Sequence, residues 1–560
     1  MKKTFHFTFA VLILLTVIVL ASLSSCSKED DLIAEKPDLE NPDNNGEEDN
    51  GTVTVNDLKY TFAEATIENN TLHLPFTIEN GTKESVRLKS NYYNNNDWLL
   101  DDWGLYYNYS VEFENQKDVY TLEAKKKVEG KITVKELAVS AAKVNLHITL
   151  HEKLTMKAID KAITGRVSSL PENKYNQTRI ISGIEFTALC SEVSDNACAI
   201  YYKIKNTKSK TIKFNLGSTS SSTEDSWVID DWGYIYKDVY NNVGNVDSKY
   251  GINNISIPSG ISLYGKIHFK NIRNNASLLN LSLRTSLSED YRADNLPLEG
   301  RQSSLPKNVL DMKQTIDGID LTVLNCTLKK NICTVNYKIR NTNATPKKIY
   351  IKGTANDTWI MDDWGFSYWK ALHSLGNSEN EIYGINTYLP SNINRYGSFV
   401  IKDINAQASK IFISWMTNLS NDFRIDDIPL PGRTSALPTG KAKYEIVYMP
   451  ETFDINFISC KRNADKVLIT YSVKNLKEKT QDFSLATSLW GYISNQNGEK
   501  WDNSSIKFSF GEKRIPSELI VYGQIALSKV KQETTMINIK SASNSDLNDT
   551  DFEIKNLVIE

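Results

Sequence analysis

Along most of the chain, apolar and polar positions alternate. Ile184-Glu185-Phe186-Thr187-Ala188, Ala199-Ile200-Tyr201-Tyr202-Lys203-Ile204 and Tyr264-Gly265-Lys266-Ile267-His268-Phe269 are typical. Successive side chains of a strand point to opposite faces, so period-two alternation rich in β-branched and aromatic residues predicts half-buried strands. Runs of this kind, separated by Asn, Gly, Ser and Asp, fill the chain from about residue 53 onward. Few stretches offer a sustained helical period; the most helix-like is Glu152 to Ala162. Short strands at this spacing predict an all-β fold of two-sheet antiparallel sandwiches.

The pattern repeats at roughly 130 residues, and four landmarks recur in the same order. The first is a strand ending in Asn, at Asn80, Asn206, Asn341 and Asn475. The second is Trp-x-x-Asp-Asp-Trp-Gly, from Trp98 to Gly104, Trp227 to Gly233 and Trp359 to Gly365. The third is a glycine opening an alternating strand, at Gly130, Gly265, Gly397 and Gly523, with Tyr264, Tyr396 and Tyr522 before the last three. The fourth is Gly-Arg-x-Ser-x-Leu-Pro, from Gly165 to Pro171, Gly300 to Pro306 and Gly432 to Pro438. The spacing divides the chain into repeats 53–172, 178–307, 311–439 and 443–560. The last closing motif is missing after the fourth repeat, as expected of a linker. Proline and the residue before it favour extended backbone, so the motif reads as a semi-rigid joint whose arginine contacts the preceding repeat.

Residues 1–25 differ from the rest: Lys2 and Lys3, then an apolar run from Phe7 to Leu23, ending in Leu23-Ser24-Ser25-Cys26. The run is short for a membrane span and has the form of an export signal. Its end resembles the lipobox of bacterial lipoproteins, which implies cleavage before Cys26 and lipid on that cysteine. Ser27-Lys28-Glu29-Asp30-Asp31 resembles the surface-export signal of Bacteroidota lipoproteins, which implies outward display from the outer membrane. Residues 26–52 are rich in Asp, Glu, Asn, Pro and Gly and poor in large apolar side chains, so they predict a disordered acidic tether. The repeats resemble immunoglobulin-like domains of the immunoprotective extracellular antigen type. The likeness lies in the strand ending in Lys-Asn, the Asp-x-x-Gly turn before an aromatic strand and the Pro258-Ser259-Gly260 stretch before an alternating strand. That family carries no catalytic residues to transfer. Four such sandwiches, at about 40 Å each from strand lengths of roughly 17–20 Å plus loops, predict an arm on the order of 150 Å.

Formal net charge is −3, and no Lys/Arg cluster suggests nucleic acid. The sequence contains no nucleophile elbow, phosphate-binding loop or zinc spacing, so no catalytic residue, metal ligand or cofactor is assigned. His147 and His151 have i, i+4 spacing, but no histidine recurs between repeats. Cys190 and Cys198, and Cys326 and Cys333, flank short loops in repeats two and three. In an oxidising space such pairs predict cross-hairpin disulfides. Cys460 stands alone and predicts a buried thiol. Asp and Gly of the Asp-Asp-Trp-Gly element suit a hairpin turn. The aspartate pair falls short of a calcium site. Trp103, Trp232 and Trp364 exceed what a turn needs. They are read either as packing residues or as candidate platforms for a sugar ring or partner protein. The fourth repeat has lost the element, as terminal repeats often diverge. These features predict a non-catalytic surface lipoprotein binding a glycan or protein. The alternatives are a glycan hydrolase with a site between repeats, and a structural spacer or envelope-assembly component.

Overall fold

The computed structural model describes residues 52–560 apart from 91–95, 115–117, 219–225, 356–357, 486–490, 511–512 and 543–550. The expected signal segment, Cys26 and the tether through Gly51 lie outside the described residues. Among the described residues the regular structure is strand throughout, with one 3₁₀ turn at Asn503–Ser505. The strands pair antiparallel, as expected of sandwiches. In repeat two, one sheet has the order Gln177–Ile181, Ile184–Ser194, Ala197–Asn206, Ser262–Lys270, Tyr240–Val243, Val246–Ser248. It faces a sheet of Trp227–Asp230, Leu278–Leu283 and Tyr291–Pro297 and a pair formed by Ile212–Leu216 and Ile252–Ile257. Repeat three has the same strand order at the equivalent positions. Each large hydrophobic cluster draws on one repeat, except that Leu100 belongs to the cluster of repeat two and Met361 to that of repeat four.

Two landmarks are explained by packing. Asn80, Asn206, Asn341 and Asn475 are all fully buried. Each side-chain amide bridges two carbonyls across the sandwich edge. Asn206 Nδ2 donates to Lys210 O and Ile257 O, both at 2.8 Å, while its Oδ1 accepts from Lys208 N at 2.9 Å. Asn341 and Asn475 repeat the arrangement, with the near carbonyl four residues on and the donating N–H two residues on in each case. Gly130, Gly265, Gly397 and Gly523 each lie opposite an aromatic residue: Phe76, Tyr202, Tyr337 and Tyr471. A Cβ at Gly130, Gly265 or Gly397 would sit 2.3, 2.6 or 2.5 Å from the ring, so only glycine lets the ring lie across the strand.

Two expectations are corrected. Leu154–Ala162 is a strand, paired with Lys143–His151, and not a helix. A bulge around Asp160, whose φ is +53°, breaks the alternation and leaves Ile159 exposed, which imitates a helical period in the sequence. The five described cysteines are free thiols. Cys326 and Cys333 share a core-facing diagonal with Sγ atoms 3.3 Å apart, beyond the roughly 2.05 Å of a disulfide. Cys190 and Cys198 project to opposite faces of their sheet, because Cys198 pairs with Val193, an odd number of positions from Cys190. The bulge after Ala188 aligns with the one after Val323, so Cys190 corresponds to Asn325, and Ser191 to Cys326. A one-residue slip moves a side chain to the other face, so the two pairs are not equivalent.

The buried amide makes a direct prediction. Asn206→Asp keeps the shape but removes the donor, leaving two buried carbonyls unpaired at roughly 1–3 kcal/mol each. Urea unfolding of the soluble 53–560 fragment should show repeat two destabilised by about 3 kcal/mol, with the other repeats unchanged.

Candidate functional site

The Trp-x-x-Asp strand carries apolar residues on both faces. In repeat one, Leu99 enters its own core, while Leu100 joins the core of repeat two and Trp98 packs against it. In repeat two, Val228 points inward, and Trp227, Ile229 and Ile235 cluster with Ile393 of repeat three. In repeat three, Ile360 points inward, and Met361 and Trp359 meet the core of repeat four. The recurring element therefore lies at the boundary between consecutive repeats.

The turn that follows is built by its first aspartate. Asp101 Oδ1 accepts from Trp103 N and Leu105 N, both at 2.9 Å, and its Oδ2 accepts from Tyr107 OH at 2.8 Å. Asp230 and Asp362 do the same with Trp232, Tyr234 and Tyr236, and with Trp364, Phe366 and Tyr368. Burial pushes Asp101 and Asp230 up to about 6, against the opposing pull of these bonds, and raises Asp362 as well. The second aspartate turns to its own repeat: Asp231 accepts from Ser277 N and Oγ, and Asp363 from Ser409 N and Oγ. Among the described residues, no group of three or more His, Cys, Asp or Glu side chains is placed to hold a metal ion.

The turn docks on the next repeat through three matching contacts. Trp103 O accepts from Tyr264 N at 3.0 Å, Trp232 O from Tyr396 N at 3.0 Å, and Trp364 O from Tyr522 N at 3.1 Å. The indole of each tryptophan packs on that tyrosine, with ring centroids 6.1, 6.1 and 5.9 Å apart. The glycine after each tryptophan has φ between +83° and +88° and lies against the same strand. A Cβ there would meet Leu263 at 2.5 Å, Arg395 at 2.6 Å or Val521 at 2.4 Å. Two asparagines complete the seam. Asn245 exchanges two hydrogen bonds with the backbone of Tyr106, and Asn377 with that of Ile235. Asn377 also accepts from the buried Arg395 Nη2 at 3.1 Å. The platform reading of Trp103, Trp232 and Trp364 is thus corrected: all three are half-buried and bound to the next repeat.

The fourth repeat keeps the turn and changes its surface. Asn495 Oδ1 accepts from Asn497 N and Glu499 N, both at 3.0 Å, in the place of the first aspartate. Asn497 stands at the tryptophan position, Ser494 at that of Leu100, and Gln496, bonded to Thr535 N, at that of the second aspartate. The element is not lost; its docking side chains are. Equivalence was hidden in the sequence because no Asp or Trp of the motif survives.

The linker arginine contacts the repeat before it, as the motif suggested. Arg166, Arg301 and Arg433 donate through Nη1 to Ala141 O, Ala276 O and Ala408 O at 3.0, 3.2 and 3.1 Å. Repeat four, without the motif, fills this role from within a strand: Arg462 reaches Lys531 O and Thr534 O in the matching loop. At the boundary of repeats three and four a groove of about 470 Å³ opens beside Trp359, Phe412, Arg424 and Arg514. Of its acids, Asp426 is held by Arg424 Nε at 2.9 Å and Asp422 accepts from Thr417 N at 3.1 Å.

No family model and no curated protein matches the chain. Among solved structures, a conserved domain protein from Bacillus anthracis is 9% identical, covering 42% of this chain and 79% of its own, with a TM-score of 0.12. The secreted serine protease VesC from Vibrio cholerae is 9% identical, covering 69% of this chain and 99% of its own, with a TM-score of 0.16. Similarities this low bear on neither fold nor activity.

Gly365→Val would drive a branched side chain into Val521. In scanning calorimetry of the 53–560 fragment it should split off a separate, lower transition for repeat four, as should Trp364→Ala more weakly. The raised aspartates predict a pH dependence. Folding favours their protonated form, so their contribution is full below about pH 4 and is lost as pH rises through 6. The difference in unfolding free energy between Asp230→Asn and the unaltered protein should move in the variant's favour by up to about 3 kcal/mol from pH 4 to pH 8.

Proposed function

We propose that this chain is a non-catalytic, surface-displayed lipoprotein. It is held by lipid on Cys26 and carries four immunoglobulin-like sandwiches that present a glycan- or protein-binding surface away from the outer membrane. The observation that best supports this is that the Trp-x-x-Asp-Asp-Trp-Gly motif, which recurs in three repeats, serves as a joint. Its aspartates are tied to backbone and hydroxyl donors, and its tryptophans and glycines to the next repeat. Chemistry shared by the repeats is therefore structural. A repeated rigid joint suits a stalk that must keep its reach.

The glycan-hydrolase reading draws on the groove between repeats three and four, where two of its acids are already bonded to neighbours. The spacer reading shares the stalk and differs only in lacking a ligand. Binding by the soluble 53–560 fragment to a panel of host and dietary glycans and outer-membrane proteins separates the three. Micromolar or tighter binding to at least one ligand, with no turnover of the glycans, is the expected result. Turnover would establish the hydrolase, and no binding across the panel would leave the spacer. In cells, Cys26→Ala should abolish palmitate labelling and surface protease sensitivity together.

A further inference from the structure

We infer that repeat two carries a binding site of its own, for a saccharide bearing a carboxylate. This rests on the reading of the chain as a binding protein and names a site and a ligand class for it. A cavity of about 580 Å³ opens at one end of the repeat, within the range of roughly 300–1,000 Å³ usual for small-ligand sites. Its lining includes the aromatic residues Tyr234, Tyr236, Tyr240, His268 and Phe269. Tyr240 and His268 face each other across adjacent strands with ring centroids 5.4 Å apart and planes 22° from parallel. His268 Nε2 donates to Asp247 Oδ1 at 3.2 Å, which fixes the imidazole in this stack.

Comparison among the repeats separates the site from the scaffold. The position of Tyr236 is aromatic in every repeat, as Tyr107, Tyr368 and Trp501, and it belongs to the turn. The cross-strand pair Tyr240 and His268 is Ser110 and Thr133 in repeat one, Leu372 and Val400 in repeat three, and Lys507 and Ala526 in repeat four. The sandwich is built equally well without aromatic residues there. Tyr240 remains 38% exposed, so its ring is not needed to close the core.

The ligand class follows from the lining. A flat, partly exposed aromatic surface accepts the C–H face of a sugar ring while polar groups at the rim meet its hydroxyls. The lining also includes Lys237, Lys270, Asn271 and Asp238, and Asp238 lies 3.8 Å from Lys249. Lys237, Lys270 and the neighbouring Lys249 outnumber Asp238 and the Asp247 that holds His268, which favours a carboxylate on the sugar over an uncharged one.

The test is calorimetric titration of the 53–560 fragment with oligogalacturonate and with sialyllactose, each beside its methyl ester. Binding of at least one acid form is expected, weakened tenfold or more by esterification and by Tyr240→Ala. The melting temperature of that variant should be unchanged. Trp369→Ala, at an exposed aromatic residue of repeat three, should leave the affinity as it was. Failure to bind either acid form, or equal affinity in Tyr240→Ala, overturns the site. The wider reading as a binding protein falls only if the whole glycan and protein panel is also negative.

Discussion

Each of the first three repeats contains an edge strand with apolar side chains on both faces, and this constraint organises the chain. Trp98 and Leu100, Trp227 and Ile229, and Trp359 and Met361 point away from the core of their own sandwich. Left open, such a face would expose a contiguous apolar patch beside unpaired backbone, which invites association. The following repeat covers it. The tryptophan carbonyl takes up a backbone N–H of the next repeat's strand, and glycine lets the two backbones approach. The seam then behaves as an extension of the core rather than as a hinge.

The same logic accounts for the changes in repeats one and four. In repeat one, Glu129 stands where Tyr264, Tyr396 and Tyr522 stand in the others. In repeat four, Asn497, Ser494 and Gln496 replace the docking side chains while Asn495 preserves the turn. Stacked repeats need polar ends to remain soluble. Here the substitutions fall at the positions that would otherwise recruit another repeat.

Much of the fold was legible in the sequence because burial on one side of a sheet forces alternation, and tandem copies made the landmarks visible by comparison. The role of Trp103, Trp232 and Trp364 was not legible. A tryptophan beside a turn reads alike whether it meets solvent, a ligand or a neighbouring repeat, and the tyrosine it meets lies more than 150 residues further on. The cysteine pairs misled for a different reason. Loop spacing alone does not reveal a bulge, and the bulge after Ala188 sets which face Cys190 occupies. Asp160 concealed a strand in the same way. The unit-specific pair Tyr240 and His268 was hidden because register across adjacent strands, not sequence proximity, brings them together.

The central claim is that the Asp-Asp-Trp-Gly element fixes one repeat against the next. It is tested most directly by a spin-label distance distribution across the second joint. Labels on cysteines introduced at the exposed positions Lys210 and Lys402 are selective, because the five native thiols of the 53–560 fragment are buried. A single narrow distance peak is predicted, broadening when Trp232 is changed to alanine. A broad distribution in the unaltered protein, indifferent to that change, would contradict the account.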